Sequence, residues 1–224
     1  MFPLRDTEPS YTKPVVVVCL IVINLLVFLF ETSLDPYYRN QFIAYYGMVP
    51  DEFTWRSLFT SMFLHGGWMH VLGNMWFLWI FGDNVEDILG HGKFLLFYLA
   101  CGIAAGLAQV LIDPSSRVPT VGASGAIAGV MGAYIIKFPR SRILTLIPII
   151  IFFTTIEVPA WLMLIYWFGI QFLSGVGSLG ATTQASQGGT AFFAHIGGFL
   201  VGMALIKILP TSDRSVRRRD YYNY

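Results

Sequence analysis

Ser124 stands in Val121-Gly122-Ala123-Ser124-Gly125-Ala126, where small residues open a hydrophobic stretch, and His195 stands in Ala194-His195-Ile196-Gly197-Gly198, near the start of another. A serine hydroxyl is a weak nucleophile until a neighbouring base removes its proton. Imidazole titrates in the range needed to take that proton and hand it to a leaving amine. His70 and Asn74, spaced i and i+4, share one face of a third hydrophobic helix. Tetrahedral attack leaves an oxyanion that needs donors already in place. Side chains of His70 and Asn74, with the backbone N–H of Ser124 at a helix N-terminus, can supply them. Asp113 and Glu157 flank hydrophobic stretches rather than sit within them, so no acid is placed to orient His195. The economical reading is a serine–histidine dyad for acyl hydrolysis, with neither metal nor cofactor.

The elements that must position these residues are hydrophobic. Of 224 residues 55% are hydrophobic and 12% charged, against roughly 25% charged in an ordinary soluble domain. Apart from histidine, no charge falls in residues 14–30, 57–82, 94–112, 118–136 or 158–206. About 20 apolar residues cross a bilayer, so the last stretch holds two spans joined by the Gly/Ser/Thr/Gln-rich segment Gly175 to Thr190. The expectation is an all-α integral membrane protein with six transmembrane helices, at residues 15–31, 67–82, 93–112, 124–138, 158–174 and 191–209. Around that six-helix domain, residues 14–209, lie a polar tail at 1–13 and a basic tail at 210–224. The first span lacks a small-residue cleavage site and reads as a retained helix rather than a signal peptide.

Six spans put both termini on one side, together with the loops after the second and fourth helices. That side carries all but three of the 14 Lys and Arg, the exceptions being Arg39, Arg56 and Arg117. Positive charge concentrates in the cytoplasm, so both termini are placed there, in a multi-pass protein of the cell (inner) membrane. The run Arg217-Arg218-Arg219 then reads as a topology anchor beside anionic lipid, and no nucleic acid partner is implied. Cys19 and Cys101 lie inside spans without CxxC spacing and read as apolar filling.

With this topology the second, fourth and sixth helices run the same way, so His70, Asn74, Ser124 and His195 all fall in the outer half of the membrane. The fourth span, about 14 residues and near 20 Å long, is short of a 30 Å core. Ser124 would therefore stand below the outer surface, fed by a loop, Asp113 to Ala123, that dips inward and lines a water-filled cavity. Glycines four apart, at 102 and 106, 125 and 129, and 198 and 202, allow close helix contacts. Two stretches fit no span. Glu31 to Met62 is aromatic enough to lie in the outer interface, and Ile143 to Ile156, with Pro148, is read as an interfacial or partly extended cytoplasmic segment.

Together these residues resemble the rhomboid family of intramembrane serine proteases. The resemblance rests on Trp55-Arg56, on His65 and His70 followed by Asn74, on Gly122-Ala123-Ser124-Gly125, and on Ala194-His195 with Gly198 and Gly202. It implies Ser124 as nucleophile, His195 as general base, and His70 with Asn74 in the oxyanion hole. It also implies single-span membrane protein substrates within the lipid bilayer, a structural first loop around Trp55-Arg56, and a structural hydrogen-bonding role for Glu86. Position 128 is Ala where some members carry a tyrosine that packs on the histidine, so what holds the His195 ring is left open.

Other designs fit less well. His65 and His70 are five apart without the H-E-x-x-H of a zinc protease, and Asp83 has no partner aspartate inside a span. Gly122-Ala123-Ser124-Gly125 is not G-x-S-x-G. No intramembrane acid or internal repeat points to a transporter. The alternative from another class is a catalytically inactive rhomboid-like protein that binds membrane clients, although such relatives typically lack the serine or the histidine. His65 reads as a structural hydrogen-bonding residue, and His91, in Gly90-His91-Gly92-Lys93, as a solvated cytoplasmic turn.

Overall fold

Each long hydrophobic stretch becomes a helix whose ends are marked in the sequence. A computed structural model describes residues 2–149, 152–179 and 191–212. Helix α1 spans Val15–Ser33 and follows Pro14, whose missing N–H costs nothing at a helix start. Two short helices, α2 (Pro36–Tyr46) and α3 (Trp55–Thr60), occupy the aromatic first loop. Asp35 caps the first through the Tyr37 N–H with Pro36 at its opening position, and Thr54 caps the second through the Ser57 N–H. Helices α4 (Trp68–Leu89) and α5 (His91–Ile112) are separated by Gly90 alone, at φ 75°, where glycine turns the chain without strain. Helices α6 (Ser124–Lys137), α7 (Ala160–Leu179) and α8 (Phe192–Ile208) complete the bundle. Among the described residues α1, α5 and α7 are long and apolar enough to cross a membrane, while α6 and α8 are apolar but shorter. Residues 180–190 of the predicted polar connection, and the basic run Arg217 to Arg219, lie outside the described residues.

The expectation of a purely helical protein is corrected by a three-stranded antiparallel sheet of β1 (Phe2–Asp6), β2 (Arg142–Ile149) and β3 (Phe152–Pro159). Strands β2 and β3 pair from Arg142 opposite Pro159 to Ile149 opposite Phe152. Pro148 bars a helix here, and the β-branched residues around it favour the extended chain. Residues 2–6, expected to be a plain polar tail, instead add a strand to β2, with Phe2 opposite Leu146 and Asp6 opposite Ile143. Backbone N–H and C=O groups left open along β2 are satisfied this way.

The sheet caps the far end of α4 and α6. The Asp6 carboxylate accepts hydrogen bonds from the Tyr134 hydroxyl and from Asn84 Nδ2. At the same end the Lys93 ammonium donates to the Pro210 carbonyl and the Ser212 N–H to that of Ile88, so both ends of the described chain meet here.

Helix α4 runs seven residues beyond the expected limit at Gly82 because its acids are used internally. Glu86, fully buried, accepts the N–H groups of Val16 and Val17 at 2.9 and 2.8 Å, two of the orphan donors in the first turn of α1. Asp87 accepts from the Thr12 hydroxyl at 2.7 Å. His91 is exposed as expected, but it stands at a helix start rather than in a turn. It opens α5, and its Nδ1 meets Glu86 Oε1 at 2.5 Å with the side chain 52% exposed. Two charge-assisted bonds at a buried carboxylate contribute a few kcal/mol. Glu86→Ala should therefore lower the thermal unfolding midpoint in detergent markedly while the remaining folded fraction keeps its specific activity.

Helices α6 and α8 form the tightest pair. A methyl group on Gly198 would overlap the Gly125 carbonyl oxygen, and one on Gly202 that of Gly129. Residue numbers rise together along both helices, so α6 and α8 run parallel. In a bilayer such backbone proximity replaces the hydrophobic drive that water would supply. Helix α4 runs the same way as α6, with Gly122 beside His70 at one end and Tyr134 against Phe81, ring centroids 5.0 Å apart, at the other. Gly102 and Gly106 of α5 serve a different contact: they face Met62 and Leu58 of the first loop, although Gly102 also approaches Ala126.

Candidate active site

Parallel packing of α4, α6 and α8 brings their starts to one level, and the four chemistry-bearing residues lie within the first two turns. His70 and Asn74 occupy the first two turns of α4, Ser124 opens α6, and His195 is the fourth residue of α8. All four line one cavity of about 1110 Å³, closed on another side by Arg117 to Val121 of the loop before α6.

Ser124 Oγ lies 2.7 Å from His195 Nε2. The other ring nitrogen, Nδ1, lies 2.8 Å from Oε1 of Gln171 on α7. An amide oxygen only accepts, so Nδ1 carries the proton and Nε2 is left as the acceptor for the serine hydroxyl. This is the tautomer that a general base requires. His195 is 7% exposed, and the indole of Trp167 packs on its ring with centroids 5.7 Å apart. Position 128 carries no ring, and the aromatic partner of His195 comes from α7 instead.

The oxyanion candidates are oriented by the loop geometry. Gly66 N–H donates to His70 Nδ1 at 3.4 Å, which leaves the proton on Nε2. That Nε2 points at Gly122, where a Cβ would come within 2.7 Å of it. Gly122 has φ 123°, a conformation glycine alone adopts freely, and its N–H donates to the Ser61 carbonyl at 2.9 Å. Asn74 Nδ2 lies 3.0 Å from His65 Nε2, and the amide has a second N–H to offer the cavity. His65, fully buried, is thus a support for Asn74, and its own N–H donates to Glu31 of α1 at 3.2 Å.

The loop from Asp113 to Ala123 is pinned from outside. Met48 and Thr120 exchange two backbone hydrogen bonds, the Asp51 N–H donates to the Ser116 carbonyl, and Arg117 pairs with Asp51 at 2.9 Å. The first loop is itself braced by Arg56, whose guanidinium lies 3.9 Å over the Tyr45 ring and donates to the Tyr45 carbonyl. Trp55 beside it is 75% exposed, which suits an aromatic at a membrane interface.

The sequence reading missed Gln171 and Trp167. The signal for both was present: an amide inside an otherwise apolar span is costly unless it has a partner, and Trp167 lies one turn before it on the same face.

A bundle of apolar helices thus holds a hydrogen-bonded serine–histidine pair, with further polar side chains around one cavity. Residues 52–212 match the model of the rhomboid domain. The mitochondrial rhomboid protein 1 of Saccharomyces cerevisiae is 30% identical over 151 residues, covering 66% of this chain and 40% of that protein. Two Bacillus subtilis proteins are also similar. Rhomboid protease GluP is 44% identical over 79 residues, 35% of this chain and 15% of GluP, and the putative rhomboid protease YdcA 38% over 81 residues, 36% and 40% respectively. The chain therefore matches less than half the length of each of these relatives. It belongs to the rhomboid family and is an integral membrane protein.

Proposed function

We propose that the chain is an intramembrane serine endopeptidase that cleaves single-span membrane proteins within or near their transmembrane segment. The observation that carries this reading is the 2.7 Å contact between Ser124 Oγ and His195 Nε2 inside a cavity large enough for an extended peptide segment. His195 takes the serine proton as Oγ attacks the scissile carbonyl. The oxyanion is held by His70 Nε2–H, an Asn74 amide N–H and the Ser124 backbone N–H. The imidazolium then protonates the leaving amine, and water, deprotonated by the same imidazole, releases the acyl group from Ser124.

Six of the eight helices, α1 and α4 to α8, would span the membrane within a domain of residues 14–209. Both termini would be cytoplasmic and the site would face the outer side of the cell membrane. Support comes from the distribution of Lys and Arg and from the meeting of both described chain ends opposite the cavity. Substrate helices must unwind to present a peptide bond, so helix-destabilising residues should mark good substrates. An inactive client-binding relative has no need of a serine hydroxyl aimed at a correctly protonated histidine.

A fluorophosphonate probe tests the nucleophile without any substrate. It should label the wild-type protein on the peptide containing Ser124, and labelling of a different serine would remove the assignment. For the oxyanion donors, His70→Ala and Asn74→Ala should each lower kcat about 10²- to 10³-fold at little change in KM. A change confined to KM would assign them to substrate binding instead.

A further inference from the structure

The distance of 2.8 Å between Gln171 Oε1 and His195 Nδ1 gives His195 an orienting partner that the two-residue reading left out. We propose that Gln171, seconded by Trp167, is the positioning residue of the dyad, so that the seat of α7 against α8 decides whether His195 can act as a base. This proposal rests on the hydrolytic function given above.

Three observations carry it. First, the hydrogen-bond partner fixes the tautomer. With the amide oxygen taking the Nδ1 proton, Nε2 faces Ser124 as an acceptor, and without that partner the neutral ring is free to place its proton on either nitrogen. Second, the aromatic contact on the ring comes from the same helix. Ala128 offers no ring on the α6 side, so Trp167, one helical turn before Gln171, supplies the aromatic contact, tilted by 35° with centroids 5.7 Å apart. Apart from the bond to Ser124, the polar and aromatic partners of the ring therefore both come from α7. Third, that helix is the most weakly embedded part of the site. Ile165, Tyr166, Ile170, Leu173 and Val176 on its outer side are 42% to 71% exposed, a face that suits lipid. Its inner contact to α8 is a strip of aromatic packing, with Phe168 4.9 Å from Phe199 by ring centroids and Gly175 against Phe192 and Phe193. Among the described residues it shows none of the backbone interlock that joins α6 to α8.

Gln171 and Trp167 therefore tie the orientation of the base to the position of α7. No charge is needed at position 171. A carboxylate carried on a lipid-facing helix would cost far more whenever α7 moved into contact with hydrocarbon, whereas an amide accepts the same proton as a neutral group.

The test uses the full-length protein in detergent and three variants: Gln171→Met, which keeps the side-chain length but accepts no hydrogen bond, Gln171→Glu, which accepts it, and Trp167→Leu. Two readouts are taken, the rate of fluorophosphonate labelling at Ser124 and the kcat and KM for a model single-span substrate. Gln171→Met is expected to slow labelling and lower kcat by about 10- to 100-fold with KM and the unfolding midpoint unchanged, as loss of a group acting only through the base requires. Gln171→Glu should restore most of both rates, and Trp167→Leu should slow them less than Gln171→Met. Equal labelling rates for wild type and Gln171→Met overturn the proposal and leave the dyad intact. A Gln171→Met effect on the helical substrate alone also overturns it, because Gln171 would then act on substrate access and not on His195. A wild-type protein that is neither labelled nor active overturns the function and this proposal together.

Discussion

Replacing His195 by alanine is expected to lower cleavage of a single-span substrate by about 10⁴-fold, and Ser124→Ala should reduce it to background. The magnitude follows from what each group does. Without the imidazole the serine hydroxyl keeps its proton at neutral pH, and the leaving amine has no acid to protonate it. Because the two act as one unit, the double variant should be scarcely slower than either single one. The loss should appear in kcat, since neither side chain contributes much area to substrate binding. Both variants should fold. Ser124 begins a helix without serving as its side-chain cap, and alanine is tolerated at that position. His195 is buried at 7% exposure, so its removal leaves space beside Trp167 and Gln171 and costs some stability but leaves the α6 to α8 backbone contact in place.

Gly202→Val is expected to have the second-largest effect, through the fold. Gly202 lies almost two turns beyond His195 and touches no reacting group, yet a Cβ added there would overlap the Gly129 carbonyl oxygen. A β-branched side chain there meets a carbonyl oxygen and its own helix on either side, neither of which can yield. Helices α6 and α8 must then separate, and overpacking at a backbone contact costs more than the about 1–3 kcal/mol usual for an interior side-chain clash. Activity should be lost together with the cooperative unfolding transition in detergent. By contrast, Gly92→Ala, at an open position near the start of α5, should change neither.

Much of this site was legible in the sequence because membranes restrict what a polar residue can be. Ser124, His195, His70 and Asn74 stood out as polar side chains at matching depth in apolar stretches, and all four line the same cavity. Glycine spacing announced the α6 to α8 contact, and Gly198 and Gly202 lie against Gly125 and Gly129 as that spacing suggests. Other features depended on tertiary partners that the pattern does not encode. Charges at Asp83, Glu86 and Asp87 seemed to end the second helix, but Glu86 and Asp87 are bonded to the first helix and the segment before it, so α4 continues to Leu89. Strand β1 was hidden because a five-residue segment has no periodicity to read, and it is extended only because β2 offers an open edge. Gln171 was legible as a polar residue inside a span, and its partner was not, because 24 residues separate it from His195.

Ser124 and His195 can be tested as a working dyad directly in one assay. Purified protein in detergent is incubated with a model single-span substrate that carries helix-destabilising residues near its outer boundary, and the products are identified by mass. Wild type should yield two fragments cut within or beside the transmembrane segment, and Ser124→Ala and His195→Ala, each shown to be folded, should yield none above background. Undiminished cleavage by either variant would contradict the account.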